Sequence, residues 1–187
     1  MRVISGSAKG VTLKTPSGME TRPTTDRVKE AVFSIIQFHI PGARILDLFG
    51  GTGQLGIEGL SRGAKSAVFV DRREDACTLI RENLRRAKLE SGARVVRSDY
   101  MTYLNRSKEK FDIIFLDPPY GEDFLENSLI RITEIDILQS GGIIVAERPL
   151  GKELSLDLPG FSKSRDYKYG NTLIAVYQRN PILEDKA

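Results

Sequence analysis

The sequence predicts an α/β protein: an open, doubly wound, mostly parallel sheet of the Rossmann-like type with an antiparallel last strand. Three observations carry this. Short apolar runs, RILDLF, SAVFVD, ARVVRSD, FDIIFLD and GGIIVAE, recur from residue 44 onward with helical stretches between them. These runs are apolar throughout instead of alternating, as strands covered on both faces are. The first run enters a glycine-rich loop, DLFGGTGQLG, that opens a helix.

Taken in order, residues 1–42 form an N-terminal extension in which RVISG and GVTLKT pair as a small hairpin and METRPTTDRVKEAVFSII leads into a helix. Thr25 or Asp26 can cap that helix, and Val28, Val32, Ile35 and Ile36 give it an apolar stripe before Pro41-Gly42 ends it. The sheet domain spans 43–180. RILDLF is its first strand, QLGIEGLSRG a helix ending near Gly63, and SAVFVD the second strand. REDACTLIRENLRRAKL then places Ala76, Leu79, Ile80, Leu84 and Ala87 on one helical face. ARVVRSD, FDIIFLD and GGIIVAE are three further strands of the same kind, with residues 100–105 and 124–138 predicted helical. FSKSRDYKYG and NTLIAVYQR, joined through Gly170-Asn171, read as an antiparallel hairpin at the sheet edge. Residues 181–187 are expected to fray.

A chain of 187 residues can bury a full core in one domain. One cysteine, Cys77, and one histidine, His39, leave no zinc cluster, no Cys-His pair and no Ser-His-Asp triad, so no metal is expected. Cys77 reads as a small residue on its helix and His39 as a helix-end residue. A lone cysteine, no run of membrane-spanning length and no signal-peptide core in MRVISGSAKG together predict a cytoplasmic protein without a membrane partner. The net charge of +3 points only weakly to nucleic acid.

Gly51-Thr52-Gly53-Gln54-Leu55-Gly56 satisfies G-x-G-x-x-G in the required context, after a strand and before a helix. Asp71 ends the next strand about twenty residues on, where a carboxylate can accept both hydroxyls of a ribose. An adenosine-type cofactor follows, and two candidates fit. NAD would lay its pyrophosphate over the helix N-terminus. Asp47, directly before the loop, would repel that group and suits instead the ammonium of a ligand such as S-adenosylmethionine. Asp117-Pro118-Pro119-Tyr120, after the fourth strand, has nothing that serves hydride transfer. By itself it could be a turn, since proline is pushed to strand ends.

DLFGGTG, FVD and LDPPY in this order resemble the class I S-adenosylmethionine-dependent methyltransferases that act on exocyclic amines. More narrowly, RVISGSAKGVTL, RPTTDRVKEAVF and LDLFGGTGQLGIEGLSRGA resemble the RsmD-type family, which methylates a guanine N2 amine in 16S ribosomal RNA. The similarity runs from Arg2 to Tyr177, and RPTTDRVKEAVF is its most specific element. Gly50, Thr52 and Gln54 stand where the family usually has alanine, serine and alanine, and Asp71 where it often has glutamate. The resemblance implies S-adenosylmethionine, leaving as S-adenosylhomocysteine, held by Asp47, Phe49, Gly50, Gly51, Gly53, Asp71, Arg72, Asp99 and Tyr100. Asp99 would contact the adenine amine, although a helix N-cap suits it nearly as well. Phe49 and Tyr100 would line the adenosine pocket, although each also suits a core.

An aromatic amine is a weak nucleophile because its lone pair is delocalised into the ring. Accepting both N–H hydrogens would turn the nitrogen toward tetrahedral geometry. Asp117 could accept one and the Pro118 carbonyl the other, with Pro118 and Pro119 fixing φ and Tyr120 stacking on the base. Alignment then supplies most of the catalysis, and no histidine base is needed.

The tetrapeptide does not itself choose among DNA adenine, RNA guanine and protein amides. A sequence-reading DNA methylase usually carries an added recognition domain, and here about forty residues precede the sheet. Structured 16S RNA, in the small subunit or an assembly intermediate, is the expected partner of a monomeric enzyme. Arg22, Thr24, Thr25 and Arg27 are the preferred substrate contacts. The competing readings are an adenine-N6 DNA methyltransferase and a dinucleotide-binding oxidoreductase.

Overall fold

A computed structural model of the protein describes residues 1–16, 26–119, 123–151 and 158–180. Helix α1 (Asp26–Ile35) and a 3-10 turn lead into strand β1 (Arg44–Asp47). There follow α2 (Gln54–Ser61), β2 (Ser66–Asp71), α3 (Glu74–Ala87), β3 (Ala93–Arg97), α4 (Tyr100–Arg106) and β4 (Phe111–Leu116). Helix α5 (Phe124–Glu134) precedes the long β5 (Leu138–Pro149), and β6 (Phe161–Lys163), β7 (Tyr167–Tyr169) and β8 (Thr172–Arg179) complete the sheet. Among the described residues no helix is long and apolar enough to cross a membrane.

The sheet runs β3-β2-β1-β4-β5-β8, with β6 and β7 both paired to the outer edge of β8. The strands β1 to β5 are parallel to their neighbours, and β8 is antiparallel to β5. Chain order therefore reverses between β1 and β4, which opens a crevice at their C-terminal ends. Helices α1, α2 and α3 cover one face through Val32, Phe33, Ile57, Ile80 and Leu84, packed on Ile45, Phe69, Ile113, Phe115 and Val145. Helices α4 and α5 cover the other through Leu104, Leu125 and Leu129, packed on Leu46, Val68, Ile114 and Ala146. The expected mostly parallel sheet with an antiparallel last strand is what the chain forms, and its β7–β8 hairpin turns through Gly170-Asn171 with Gly170 at φ 60°.

Three elements differ from the sequence reading. The helix expected over 124–138 stops at Glu134, because Asp136 adopts a left-handed φ of 52° and Leu138 already pairs with Phe111. The ARVVRSD strand is an edge strand, half-buried at best, instead of a covered one like its neighbours. The N-terminal hairpin is reduced to a single bridge, Arg2 to Thr12, flanked by Val3 N–H to Val11 O (2.9 Å) and Leu13 N–H to Met1 O (3.0 Å).

Side chains of the sheet domain do what that hairpin ladder does not. The buried Glu58 carboxylate on α2 accepts the Ile4 (2.8 Å) and Ser5 (3.0 Å) amides, and Ser61 Oγ accepts from Ala8 N–H (2.9 Å) while donating to Ser5 O (2.6 Å). Asn83 on α3, also buried, accepts from Lys14 N–H (2.7 Å) and donates to Lys14 O (3.1 Å) and to Thr52 O (2.9 Å). Lys29 of α1 is buried, although it is not part of the apolar stripe that the sequence gives this helix. It donates to Arg2 O and lies 3.5 Å from Glu58, which Arg62 also reaches at 2.8 Å. Val3, Ala8 and Leu13 join the α1–α3 core, so the described part of the extension is packed into the sheet domain.

A buried ion pair that loses one partner leaves an uncompensated charge. Lys29→Met is therefore expected to lower the unfolding free energy by about 3 kcal/mol in urea denaturation, the low end for such pairs because Arg62 remains. A loss under about 1 kcal/mol would show that Lys29 does not support Glu58.

Candidate active site

The glycine loop is laid over the rim of the sheet by its own backbone. Leu48 N–H donates to Phe115 O (3.2 Å) and Gly50 N–H to Val70 O (2.8 Å), which ties the exit of β1 to both neighbouring strands. Gly51 and Gly53 then take left-handed φ angles of 55° and 79°, which other residues adopt at a cost. A Cβ on Gly50 would stand 2.8 Å from Ile80 and one on Gly56 only 2.3 Å from the Phe69 ring, so these positions let α2 and the loop close on the sheet. A Cβ on Gly51 would meet only the Phe49 carbonyl, at 3.8 Å, which leaves that backbone open to a ligand.

Helix α2 begins at Gly53 without a capping side chain. Asp47 supplies the missing acceptor from the strand end: its Oδ2 takes the Gly56 amide at 3.1 Å. Asp71, at the end of β2, accepts Gly51 N–H (3.0 Å) and Arg73 N–H (2.9 Å), fixing the loop from the other side. The positive end of α2 is thus met by a carboxylate of the protein itself. A pyrophosphate over that helix would face Asp47, which argues against a dinucleotide.

Register places four carboxylates together. Asp47 pairs across to Phe69 and Phe115, and Phe115 pairs to Val145. Side chains alternate along a strand, so Asp71, Asp117 and Glu147, each two residues beyond those partners, follow them to the face that α1–α3 cover. Asp47 sits one pleat repeat below this row. Burial pushes the Asp47 carboxyl up to about 7, opposed by the Gly56 hydrogen bond and reinforced by Asp71. Burial likewise raises Asp117 well above the ordinary carboxylate range, with Glu147 and then Asp47 adding to the effect. Among the described residues no His, Cys, Asp or Glu cluster converges as metal ligands do. The row is a cluster of acids facing the crevice whose ionised forms repel one another; a ligand with ammonium and sulfonium charges would favour those ionised forms, whereas a polyphosphate would not.

The remaining candidates lie around this row. Asp99 caps α4, its Oδ1 accepting Met101 N–H (3.0 Å) and Thr102 N–H (3.1 Å), so the N-cap reading holds. Phe49 and Tyr100 pack ring to ring at 5.3 Å and both meet Phe124, at 6.2 and 5.5 Å, in a half-buried aromatic trio on the α4–α5 side. Pro118 is buried and Pro119 exposed; Arg72 is exposed beyond β2, and Arg27 is exposed on α1. Tyr120, Arg22, Thr24 and Thr25 lie outside the described residues. His39 is exposed at the 3-10 turn and Cys77 is buried on α3, as expected of each.

Sequence reasoning missed Glu147, Phe124, Glu58 and Asn83. Glu58 left a readable signal, the only charge in the apolar helix QLGIEGLS. Asn83 left a weaker one, a polar side chain among buried helix positions. Glu147 left none, since a glutamate near a strand end is ordinary until register sets it beside Asp117.

Comparison with known proteins bears on this geometry. The family model described as conserved hypothetical protein 95 matches residues 1–178. A Bacillus subtilis protein named "Putative rRNA methyltransferase YlbH" is 43% identical over 182 residues, covering 96% of this chain and 99% of that one. Ribosomal RNA small subunit methyltransferase D of Escherichia coli K12 is 33% identical over 188 residues, covering 100% and 94%. The solved structure titled "Putative methyltransferase yhhF from Escherichia coli" superposes with a TM-score of 0.88 at 30% identity, covering 96% of this chain and 98% of that one.

The raised Asp47 value has a consequence for stability. From its ordinary 3.8 to about 7 the folded chain keeps a proton that the unfolded chain has lost. Its contribution therefore becomes less favourable as pH rises through that window and stays so above it. Asp47→Asn, which keeps an oxygen for Gly56, is expected to raise Tm by a few degrees at pH 8 and to change it little near pH 4. Equal shifts at both pH values would contradict a buried, protonated Asp47.

Proposed function

The chain belongs to the family described as conserved hypothetical protein 95, the RsmD-type methyltransferases, and from that premise we propose its reaction. It methylates the exocyclic N2 amine of a guanine in 16S ribosomal RNA, with S-adenosylmethionine as donor. The observation that carries this reading is the row of half-buried and buried carboxylates at the β1–β4 crevice, with Asp117 among them. A relative named for small-subunit ribosomal RNA supports the substrate.

Bound there, S-adenosylmethionine supplies a methyl group on a positively charged sulfur, already activated for transfer. The chain's own residues position and desolvate. Asp47 and Asp71 hold the glycine loop, leaving the Gly51 backbone open toward the ligand. Asp47, one pleat below, would hold the ligand's ammonium. The carboxylate of Asp71 would accept from the ribose hydroxyls, and the aromatic trio with Asp99 would border the adenine. Asp117 and the Pro118 carbonyl accept the two N–H hydrogens of the target amine. In its ionised form Asp117 accepts one of these hydrogens, and the nitrogen, made acidic as its new bond to carbon forms, sheds its proton afterwards. The extension, residues 1–42, adds RNA contacts, with Arg27 offering an exposed guanidinium for phosphate.

Small subunits lacking the modification are expected to take up labelled methyl, recovered after digestion as N2-methylguanosine. Label recovered only as N6-methyladenine, in RNA or in DNA, would overturn the reading. Asp117→Ala is expected to lower kcat by about a thousandfold or more while keeping the thermal stabilisation by S-adenosylhomocysteine. NAD should give no such stabilisation. Turnover that survives the substitution would remove Asp117 from its role.

A further inference from the structure

We propose that Glu147 makes this site choose guanine, accepting the N1–H of the base while Asp117 accepts a hydrogen of the adjacent N2 amine. The inference rests on the guanine-N2 reading above and names the residue that enforces it. Its first support is register. Phe115 pairs with Val145 and Leu116 with Ala146; Asp117, just past the end of β4, and Glu147 on β5 are the next residues in that register, which would set them level, about 4.8 Å apart in backbone. Both continue the alternation of Phe115 and Val145 toward the same face, and the Glu147 charge acts directly on Asp117. Glu147 is half-buried, so it borders the crevice without being sealed in the core. Beyond it the row turns apolar: Glu147 pairs with Ile174 and Ile174 with Tyr167.

The second support is the chemistry of the two bases. The Watson–Crick edge of guanine presents N1–H and N2–H side by side, two donors in a row. Two neighbouring carboxylates are the matching pair of acceptors. Adenine presents an N6 amine beside the bare lone pair of N1. Asp117 alone would serve either amine, because any exocyclic NH₂ has hydrogens to give. The second carboxylate would face the adenine lone pair and repel it, so it discriminates where the first cannot.

The test uses 2-aminopurine, which keeps the exocyclic amine at position 2 but has a lone pair in place of N1–H and a hydrogen in place of O6, so the Glu147 variants, and not the wild-type preference alone, isolate the N1 contact. Small subunits would be reassembled around 16S RNA carrying guanine or 2-aminopurine at the mapped nucleotide. The wild-type enzyme is expected to prefer guanine by at least about a hundredfold in kcat/KM, since sites built to hydrogen-bond a substrate N–H reject the analogue lacking it by about 10⁴ or more. Glu147→Gln can donate to that lone pair, and it should cut the preference at least about tenfold. Glu147→Ala should narrow it as well, through loss on guanine. Stabilisation by S-adenosylhomocysteine shows that each variant is folded. If both substrates slow together and the preference is unchanged, Glu147 acts only on Asp117 and the proposal falls. If the wild-type enzyme yields no N2-methylguanosine at all, the underlying reading fails first and takes this one with it, an outcome visible without any variant.

Discussion

Carboxylates that would repel one another if all were ionised are gathered at one rim of this sheet, and the molecule is organised around that tension. Asp71, Asp47, Asp117 and Glu147 come from four adjacent strands and share one face. In water such a row would be weakly coupled, but burial strengthens each interaction and raises Asp47 and Asp117. Two of the acids are kept in place by internal duties, Asp47 as the surrogate cap of α2 and Asp71 as the anchor of Gly51. Asp117 and Glu147 border the end of the crevice where the proposed acceptor base lies. A cationic donor on one side and a hydrogen-donating base on the other would relieve the same repulsion from both ends.

The extension depends on a second set of buried polar groups. Its backbone makes one bridge and a few turn hydrogen bonds of its own, while the Ile4, Ser5, Ala8 and Lys14 amides and the Ser5 and Lys14 carbonyls take their partners from the sheet domain. Glu58, Ser61 and Asn83 supply them, and Lys29 and Arg62 balance the charge of Glu58. Asn83 does more than dock the segment. Its amide also holds Thr52 O, so the chain at Lys14 and the glycine loop hang from one side chain. The part of the extension proposed to meet RNA therefore leaves from a point fixed to the proposed cofactor loop.

The glycine loop and the strand-end acids were legible because each is a local pattern. G-x-G-x-x-G after an apolar run, Asp71 closing the next run and Asp117 closing the fourth are spacings along one chain, and the structure brings them to one crevice. Asp99 was ambiguous for the same reason: an aspartate before a helix can cap it, and here it does. Element ends were less legible where backbone conformation decided them. The run to Leu138 looks helical, yet Asp136 turns left-handed and Leu138 goes into the sheet. The edge position of β3 was invisible, because Val95 and Val96 pack on opposite faces and are apolar whether the strand has a neighbour on one side or on both.

The sequence by itself determined the class of fold, the order of its elements and the loop, since these follow from periodicity and from the backbone freedom of particular glycines. It could not determine which distant side chains meet. Lys29 lies on a helix whose apolar stripe is plain, and only packing against α2 shows that it must be buried opposite Glu58. Glu147 becomes part of the site only when β5 pairs with β4 in one register, because a shift of one residue would turn it to the other face. Register, burial and the repulsion they create belong to pairs of strands and not to any one of them, so the tertiary structure alone decided them.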